Sequence, residues 1–144
     1  MLFRSDGDEV KLGNAVLVAH KTAGHTKGCT TWTMKVRDDK SGKTYDAVIV
    51  GSPNVNPGFK LVNNAEYPQI AQDYEHQFAV LKSLPCDIFL GAHGAYYDLA
   101  AKYPKLAAGS ENPFIDPLGY KAYIADREAA FKEELQKQQS EVAK

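Results

Sequence analysis

The sequence predicts an α+β fold in which one β-sheet is covered by helices. Apolar and polar side chains first alternate with the period of β-strands, and from about Tyr67 the apolar residues recur every three or four positions, as in an amphipathic helix. Strands are therefore followed by helix, strand and helix, which favours a single sheet with helices packed on it. The chain has 144 residues, of which 44% are hydrophobic, so we expect residues 1–144 to form one domain.

Two β-hairpins are predicted in the strand-rich part of the chain. Their strands cover residues 9–12, 15–20, 30–36 and 44–50. Gly13-Asn14 supplies the first turn, and the polar residues 38–43 supply the second. Residues 51–59 contain two prolines and two glycines, so we expect an exposed loop there and not another strand.

The remaining elements are predicted from apolar spacing and from capping residues. The apolar stripe of the first helix consists of Ile70, Tyr74, Phe78, Leu81 and Leu84. Pro85 ends this helix, residues 87–90 form a short buried strand, and a short helix over 98–103 follows. Asp116 before a proline is typical of a helix N-cap, and the polar tail 133–144 of that last helix is expected to fray.

Composition excludes several classes of partner. The formal net charge is −1, and charges of both signs are mixed along the chain, so nucleic acid is not an expected partner. No apolar run approaches the roughly 20 residues that cross a bilayer, and residues 1–6 lack the basic start and apolar core of a signal peptide. The two cysteines, Cys29 and Cys86, form no CxxC pattern, so packing roles are favoured over a disulfide or a nucleophile.

Two of the four histidines are candidate metal ligands. His25 and His93 each follow a predicted strand and lie beside glycine, which lets the backbone turn and present the imidazole at a sheet edge. His20 ends an apolar strand and His76 lies on the polar side of a helix, so ordinary structural or solvated roles are favoured for these two. His25 and His93 are far apart in sequence, which favours a site assembled by folding over a zinc finger; from the residues alone, metal binding and a structural role stay equally open.

These histidines carry a resemblance to a known family. Gly24-His25-Thr26-Lys27-Gly28 resembles the Gly-His-Thr-x-Gly motif of the metallo-β-lactamase superfamily, in which the histidine binds zinc, and Gly91-Ala92-His93-Gly94 resembles the region of its last zinc-binding histidine. The resemblance runs from about Asp6 to the end of the chain. Gly28-Cys29-Thr30-Thr31-Trp32, Asn56-Pro57-Gly58 and Leu84-Pro85-Cys86-Asp87 are similar to the third subclass of these enzymes.

A position shortly after the fourth predicted strand separates relatives of this superfamily. Glyoxalase II and most hydrolytic relatives have a zinc-bridging aspartate there, and the first two β-lactamase subclasses have a cysteine. This chain has Ser52, as the third subclass does. A serine hydroxyl is a poor zinc ligand and a good hydrogen-bond donor, so the resemblance implies that Ser52 contacts water or a substrate carboxylate. Asn54 matches a second substrate-contacting position, although an asparagine beside a proline is also typical of a turn.

The resemblance implies the C-terminal half of an αββα sandwich, a single partial domain over residues 1–144. The family motif His-x-His-x-Asp-His, which supplies the other zinc ligands, is absent from these residues. In the family, the positions of His25 and His93 serve different zinc ions. This chain is therefore expected to give one ligand to each of two zincs, and weak or no zinc binding is expected from the chain alone.

The resemblance also implies a function for the complete enzyme. That function is hydrolysis of a small β-lactam by a zinc-activated water, with no side-chain nucleophile, and the partner is the missing N-terminal half or a second chain. Family members are periplasmic or secreted. Two alternatives stay open: another hydrolase of the superfamily, acting on a lactone or thioester, or a non-catalytic fragment that depends on assembly.

Overall fold

The computed structural model describes residues 5–107 and 111–143. Residues 1–4, part of the start in which no signal peptide is predicted, and residue 144 at the end of the predicted tail lie outside the described residues. The strands are β1 (Glu9–Leu12), β2 (Ala15–Lys21), β3 (Thr30–Arg37), β4 (Thr44–Val50) and β5 (Ile88–Gly91). The helices are α1 (Ile70–Ser83), α2 (Leu99–Ala107) and α3 (Pro117–Val142), with a 3₁₀ turn at Gly94–Tyr97. The fold class is α+β, as the sequence predicts.

The five described strands form one mixed sheet in the order β1-β2-β3-β4-β5. Neighbours are antiparallel except β4 and β5, which run parallel and are connected by a crossover that contains α1. Strands β2, β4 and β5 therefore point in the same direction, and their carboxyl ends lie at one edge of the sheet. His25, Ser52 and His93 all follow these ends closely in sequence.

One face of the sheet packs against the helices. Val48 and Val50 of β4 and Phe89 of β5 are buried on this face together with side chains of α1 and α3. The helical members of this core include Tyr74, Phe78, Leu81, Tyr120, Ile124 and Phe131. Aromatic rings meet within it, with the Tyr74 and Phe131 centroids 5.2 Å apart, so α1 and α3 are fixed on the sheet by one continuous apolar core.

The opposite face of the sheet is also apolar, and we call it the outer face. Cross-strand partners point to the same side, so the register defines its members: Val10 with Leu17, Ala19 with Trp32, Met34 with Ala47, and Ile49 with Leu90. Within the described part of the chain, none of these residues belongs to the core that the helices form. The sheet thus has apolar side chains on both faces and packed helices on one.

The helix boundaries agree with the spacing and capping predictions, with one extension. Helix α1 buries the predicted residues Ile70, Tyr74, Phe78 and Leu81 and ends just before Pro85. The side chain of Asp116 accepts a hydrogen bond from the Gly119 N–H, which confirms the predicted N-cap. Helix α2 continues through Pro104 to Ala107, beyond the predicted end at residue 103, and it buries none of its described side chains. No helix among the described residues has the length and apolar character required to span a membrane.

The loop after β4 differs from the prediction of an exposed segment. Ser52 and Pro53 are buried, whereas residues 56–58 are exposed as predicted. Gln77 on α1 donates a hydrogen bond to the Ser52 carbonyl at 2.7 Å and holds the start of the loop against the core. The loop lacks strand pairing, so side chains of the helices satisfy its backbone groups.

Helix α3 also binds this loop from its carboxyl-terminal end. The Gln138 side chain donates to the Phe59 carbonyl at 2.8 Å and accepts from the Leu61 N–H at 2.7 Å. Helix α3 is helical to Val142, and Gln138 lies within the predicted tail. Fraying of residues 133–144 stays a prediction.

Candidate metal and substrate site

The loop that carries His25 connects β2 to β3 at the sheet edge described above. Its ends are tied together where the Thr22 N–H donates to the Cys29 carbonyl at 3.0 Å. Gly24, the residue before the histidine, has φ of 142°, a backbone conformation that L side chains rarely adopt. Glycine at this position therefore permits the turn that brings the half-buried His25 to the edge of the sheet.

The ring of His25 is oriented by the loop after β4. Its Nδ1 lies 2.8 Å from the Asn54 carbonyl oxygen. A carbonyl oxygen only accepts, so Nδ1 carries the proton and Nε2 keeps its lone pair. The Phe59 ring packs beside the imidazole with centroids 5.4 Å apart. This is the tautomer and the kind of backbone contact that metal-binding histidines commonly have.

His93 lies at the same edge, after β5. Its side chain is exposed, and its carbonyl accepts from the Tyr96 N–H at 3.0 Å at the start of the 3₁₀ turn. The edge of the Tyr96 ring meets the imidazole, with centroids 5.1 Å apart and planes at 75°. The imidazole is thus supported on one side by an aromatic ring and open to solvent elsewhere.

The Ser52 side chain is almost buried, with 7% of its surface exposed. Its hydroxyl shares a hydrogen bond with the Tyr96 hydroxyl at 3.0 Å. The Cys29 sulfur accepts from the Ser52 N–H at 3.2 Å, so the His25 loop and the loop after β4 are in direct contact.

A continuous series of contacts joins the two histidines. His25 contacts the Asn54 backbone, and the Asn54 side chain oxygen accepts a long hydrogen bond, 3.4 Å, from the Tyr123 hydroxyl. Tyr123 stacks on Tyr96 at 5.2 Å between centroids, and Tyr96 contacts both Ser52 and His93. The structure therefore brings His25, Ser52, Asn54 and His93 into one contact network, although the sequence separates them widely.

The other histidines and the cysteines lie outside this network or pack beneath it. His20 Nε2 lies 2.8 Å from the Thr33 hydroxyl, and His76 is exposed on α1. Burial raises the pKa of the Cys29 thiol, which therefore stays protonated and makes a poor nucleophile. Burial likewise raises the pKa of Cys86 to about 12, and both cysteines are free.

Three aromatic residues of the network were missed in the sequence. Tyr96 and Tyr123 link Ser52, Asn54 and His93, and Phe59 packs on His25. The sequence could have indicated Tyr96, because it lies three residues after His93 and a short turn brings a residue at that spacing back beside the histidine. No sequence pattern places Tyr123, since α3 approaches the loop only through the tertiary fold.

His25 and His93 can each donate one nitrogen ligand to a zinc ion. His25 has a free Nε2, and His93 has an exposed imidazole, which are suitable nitrogen donors for zinc. Among residues 5–107 and 111–143 no group of three or more His, Cys, Asp or Glu side chains is placed to hold a metal ion. A closed zinc site therefore needs ligands from outside the described residues.

Solved structures with the same fold are metallo-β-lactamases. The native FEZ-1 metallo-β-lactamase from Legionella gormanii is 56% identical over 93% of this chain, with a TM-score of 0.90. BJP-1, a subclass B3 enzyme of Bradyrhizobium japonicum, is 34% identical over 96% of this chain, with a TM-score of 0.86. The class B3 di-zinc enzyme LRA-12 from an Alaskan soil metagenome is 25% identical over 89% of this chain, with a TM-score of 0.80.

The match covers only part of each relative. The chain spans 50% of the Legionella gormanii enzyme, 52% of the Bradyrhizobium japonicum enzyme and 48% of the metagenomic enzyme. No protein-family model matches the chain. The described elements thus correspond to about half of a complete fold in each case.

Proposed function

We propose that this chain, whose fold matches about half of solved metallo-β-lactamases, is the C-terminal half of a zinc-dependent enzyme of the subclass B3 kind that hydrolyses β-lactams. The observation that carries this proposal is the contact network that joins His25 and His93 at one sheet edge. The motif histidines are candidates from sequence, and the network supports their acting in one site.

Under this proposal, His25 and His93 each hold one of two zinc ions. His25 does so through Nε2, because the Asn54 carbonyl fixes the proton on Nδ1. When bound, zinc acidifies a water and polarises the lactam amide, so the chain supplies no side-chain nucleophile. Cys29 is excluded from that role because burial raises the pKa of its thiol.

Ser52 and Asn54 are proposed to contact the substrate. If Tyr96 donates its hydroxyl proton to Ser52, the Ser52 hydroxyl can donate to a carboxylate that enters beside His93. The Asn54 side chain amide nitrogen has no hydrogen-bond partner among the described residues, which leaves it available to the same anionic group. Both residues lie on a loop anchored by α1 and α3, which favours a fixed position for the carboxylate.

The remaining zinc ligands are proposed to come from the other half of the fold, as an adjoining part of the same protein or as a second chain. The outer face of the sheet supports this, because it presents apolar side chains that a second layer could cover. We expect the 144 residues alone to bind zinc weakly and to lack turnover. The complete enzyme is expected in the periplasm or outside the cell, as the family resemblance implies.

Complementation tests this function directly. The purified chain is mixed with the matching N-terminal half of the Legionella gormanii enzyme, and association is followed by size-exclusion chromatography. Zinc content per complex and hydrolysis of a chromogenic cephalosporin are then measured. We expect both to appear in the complex and to be absent from each half alone.

Two results contradict different parts of the proposal. Full zinc occupancy and turnover by the 144 residues alone contradict the division of ligands between halves. A stable complex that binds zinc and hydrolyses a lactone or thioester, with no action on the cephalosporin, contradicts β-lactam hydrolysis and favours another hydrolase of the superfamily.

A further inference from the structure

We propose that Tyr74 of α1 is a positioning residue that sets both the orientation and the tautomer of His25. The described contacts include no hydrogen bond or ring contact between Tyr74 and the imidazole, and Tyr74 acts through the two segments that flank His25. The inference rests on the proposed function only in taking His25 as a zinc ligand. The contacts of Tyr74 themselves do not depend on that function.

The first contact is a hydrogen bond to the carbonyl group that His25 uses. The Tyr74 hydroxyl donates to the Asn54 carbonyl oxygen at 2.7 Å, and His25 Nδ1 donates to the same oxygen at 2.8 Å. Asn54 belongs to a loop without strand or helix pairing, so its carbonyl direction depends on such side chain bonds. Tyr74 therefore fixes the direction of the Asn54 carbonyl group, which in turn orients the imidazole.

The second contact is steric and acts on the chain just before His25. A Cβ atom placed on Gly24 would lie 2.9 Å from two carbon atoms of the Tyr74 ring. The Gly24 backbone therefore rests directly on this ring. One buried side chain thus supports the backbone that carries His25 and the carbonyl that orients its ring.

Tyr74 is itself firmly held. It is fully buried, and its ring stacks against Phe131 of α3 at 5.2 Å and Phe78 at 6.5 Å between centroids. Burial raises the pKa of its hydroxyl, so the group stays protonated and remains a donor. A neighbour that cannot rotate or ionise is well suited to fix a metal-binding side chain.

The tautomer of His25 in the metal-free chain provides the test. Imidazole ¹⁵N NMR at about pH 8.5, where imidazole is neutral, distinguishes a proton on Nδ1 from one on Nε2. We expect the Nδ1–H form in the wild-type chain and a mixture of both forms in Tyr74→Phe, which keeps the ring and loses the hydroxyl. The same fixed tautomer in Tyr74→Phe overturns the proposal.

A matched control is provided by Tyr120→Phe. Tyr120 is also buried in the core and donates to a backbone carbonyl, that of Leu81 at 2.5 Å, but it has no contact with the His25 loop. This variant removes an equivalent buried hydrogen bond and should leave the His25 tautomer unchanged. A change as large as that in Tyr74→Phe shows a general loss of stability and overturns the specific role.

A measurement on the wild-type chain covers the case in which Tyr74→Phe fails to fold. The Tyr74 hydroxyl proton and the His25 Nδ1 proton point at one oxygen, so a nuclear Overhauser effect between them is expected. Its absence, with both protons observed, overturns the shared acceptor. In the complemented enzyme, Tyr74→Phe should also weaken zinc binding about 10-fold. If the complex binds no zinc while the tautomer depends on Tyr74, the proposed function fails and the positioning role stands.

Discussion

At the scale of single residues, the two histidines are expected to serve different metal ions. His25→Ala and His93→Ala should each lower the zinc content of the complemented enzyme from about two ions to about one, because each removes a ligand from one site only. Zinc per complex, measured by atomic absorption after dialysis, checks this. His76→Ala is the control, since His76 is exposed on α1 and lies outside the contact network.

A loss of both ions in either single variant contradicts the assignment of one histidine to each zinc. Unchanged zinc content contradicts the assignment of that histidine as a ligand. The contact network connects the histidines through Asn54, Tyr123 of α3 and Tyr96 of the 3₁₀ turn. Association of each variant with the other half is therefore measured as well.

Replacement of Gly24 by alanine is expected to lower the stability of the fold strongly. Gly24→Ala forces an L residue to φ of 142° and places its Cβ 2.9 Å from the buried Tyr74 ring. The two effects together should lower the free energy of unfolding by about 3 kcal/mol. Urea denaturation followed by circular dichroism measures this change.

Gly13→Ala measures the cost of a positive φ at a position with no steric clash. Gly13 also has positive φ, 58°, but a Cβ there meets nothing within 4 Å. The expected loss is about 1 kcal/mol, from the left-handed backbone alone. Equal losses for the two variants contradict the close approach of Tyr74 to the His25 loop.

Residue types and glycine neighbours nominated His25 and His93, the family resemblance added Ser52 and Asn54, and the structure brings the four residues together. Their roles as ligands or substrate contacts stay predictions. The spacing of α1 identified Tyr74 as a core residue, which is confirmed. Its hydroxyl bond to the Asn54 carbonyl was beyond prediction, because it joins a helix to an irregular loop whose path has no periodic pattern.

At the scale of elements, the cap at the N-terminus of α3 should make the free energy of unfolding depend on pH. Asp116 caps the helix, and Lys102 Nζ lies 2.6 Å from its carboxylate. The hydrogen bond from Lys102 lowers the pKa of Asp116 below its ordinary value. The ionised carboxylate therefore stabilises the folded chain above about pH 4, and this contribution disappears as pH falls through the lowered pKa.

Asp116→Asn should reduce this pH dependence while keeping a side chain oxygen that can cap the helix. Asp116→Ala should in addition lower the free energy of unfolding at pH 7 by about 1 kcal/mol. Urea denaturation between about pH 2 and pH 7 measures both effects. Asp39→Asn, in the exposed turn between β3 and β4, is the control; the same pH profile for wild type and Asp116→Asn contradicts the role of Asp116.

The strands and α1 were predictable because turn residues and apolar periodicity are local signals. The loop after β4 was not: its prolines indicated an exposed segment, but Ser52 and Pro53 are buried because Gln77 satisfies the loop backbone. The helix predicted over residues 98–103 likewise extends further, because α2 continues through Pro104 to Ala107. In both places, a tertiary or helical context outweighs the preference of the proline.

At the scale of the whole molecule, the apolar outer face is expected to make the isolated chain self-associate. Met34→Lys places a charge within this face, beside Ala47 on the neighbouring strand, and should shift the chain toward monomer. Analytical ultracentrifugation measures the change. Leu118→Lys is the matched control, because Leu118 is 77% exposed on α3 and lies away from the sheet.

Equal effects of the two lysine substitutions contradict a specific role of the outer face and indicate a general effect of charge. The same Met34→Lys variant should also weaken complementation by the other half. The sequence predicted the sheet and its helices, but the outer-face residues are not part of the core that the described helices form, so a layer that covers them stays a proposal.

The Asn54 peptide has a chemical consequence for selectivity. Its carbonyl oxygen has two lone pairs, and Tyr74 and His25 occupy both. Its side chain oxygen accepts from Tyr123 through one of its two lone pairs, and its side chain amide N–H groups have no hydrogen-bond partner among the described residues. Under the proposed substrate contact, a molecule at this position meets two free N–H donors and a single open lone pair, and we expect this balance to favour a carboxylate over an ammonium group.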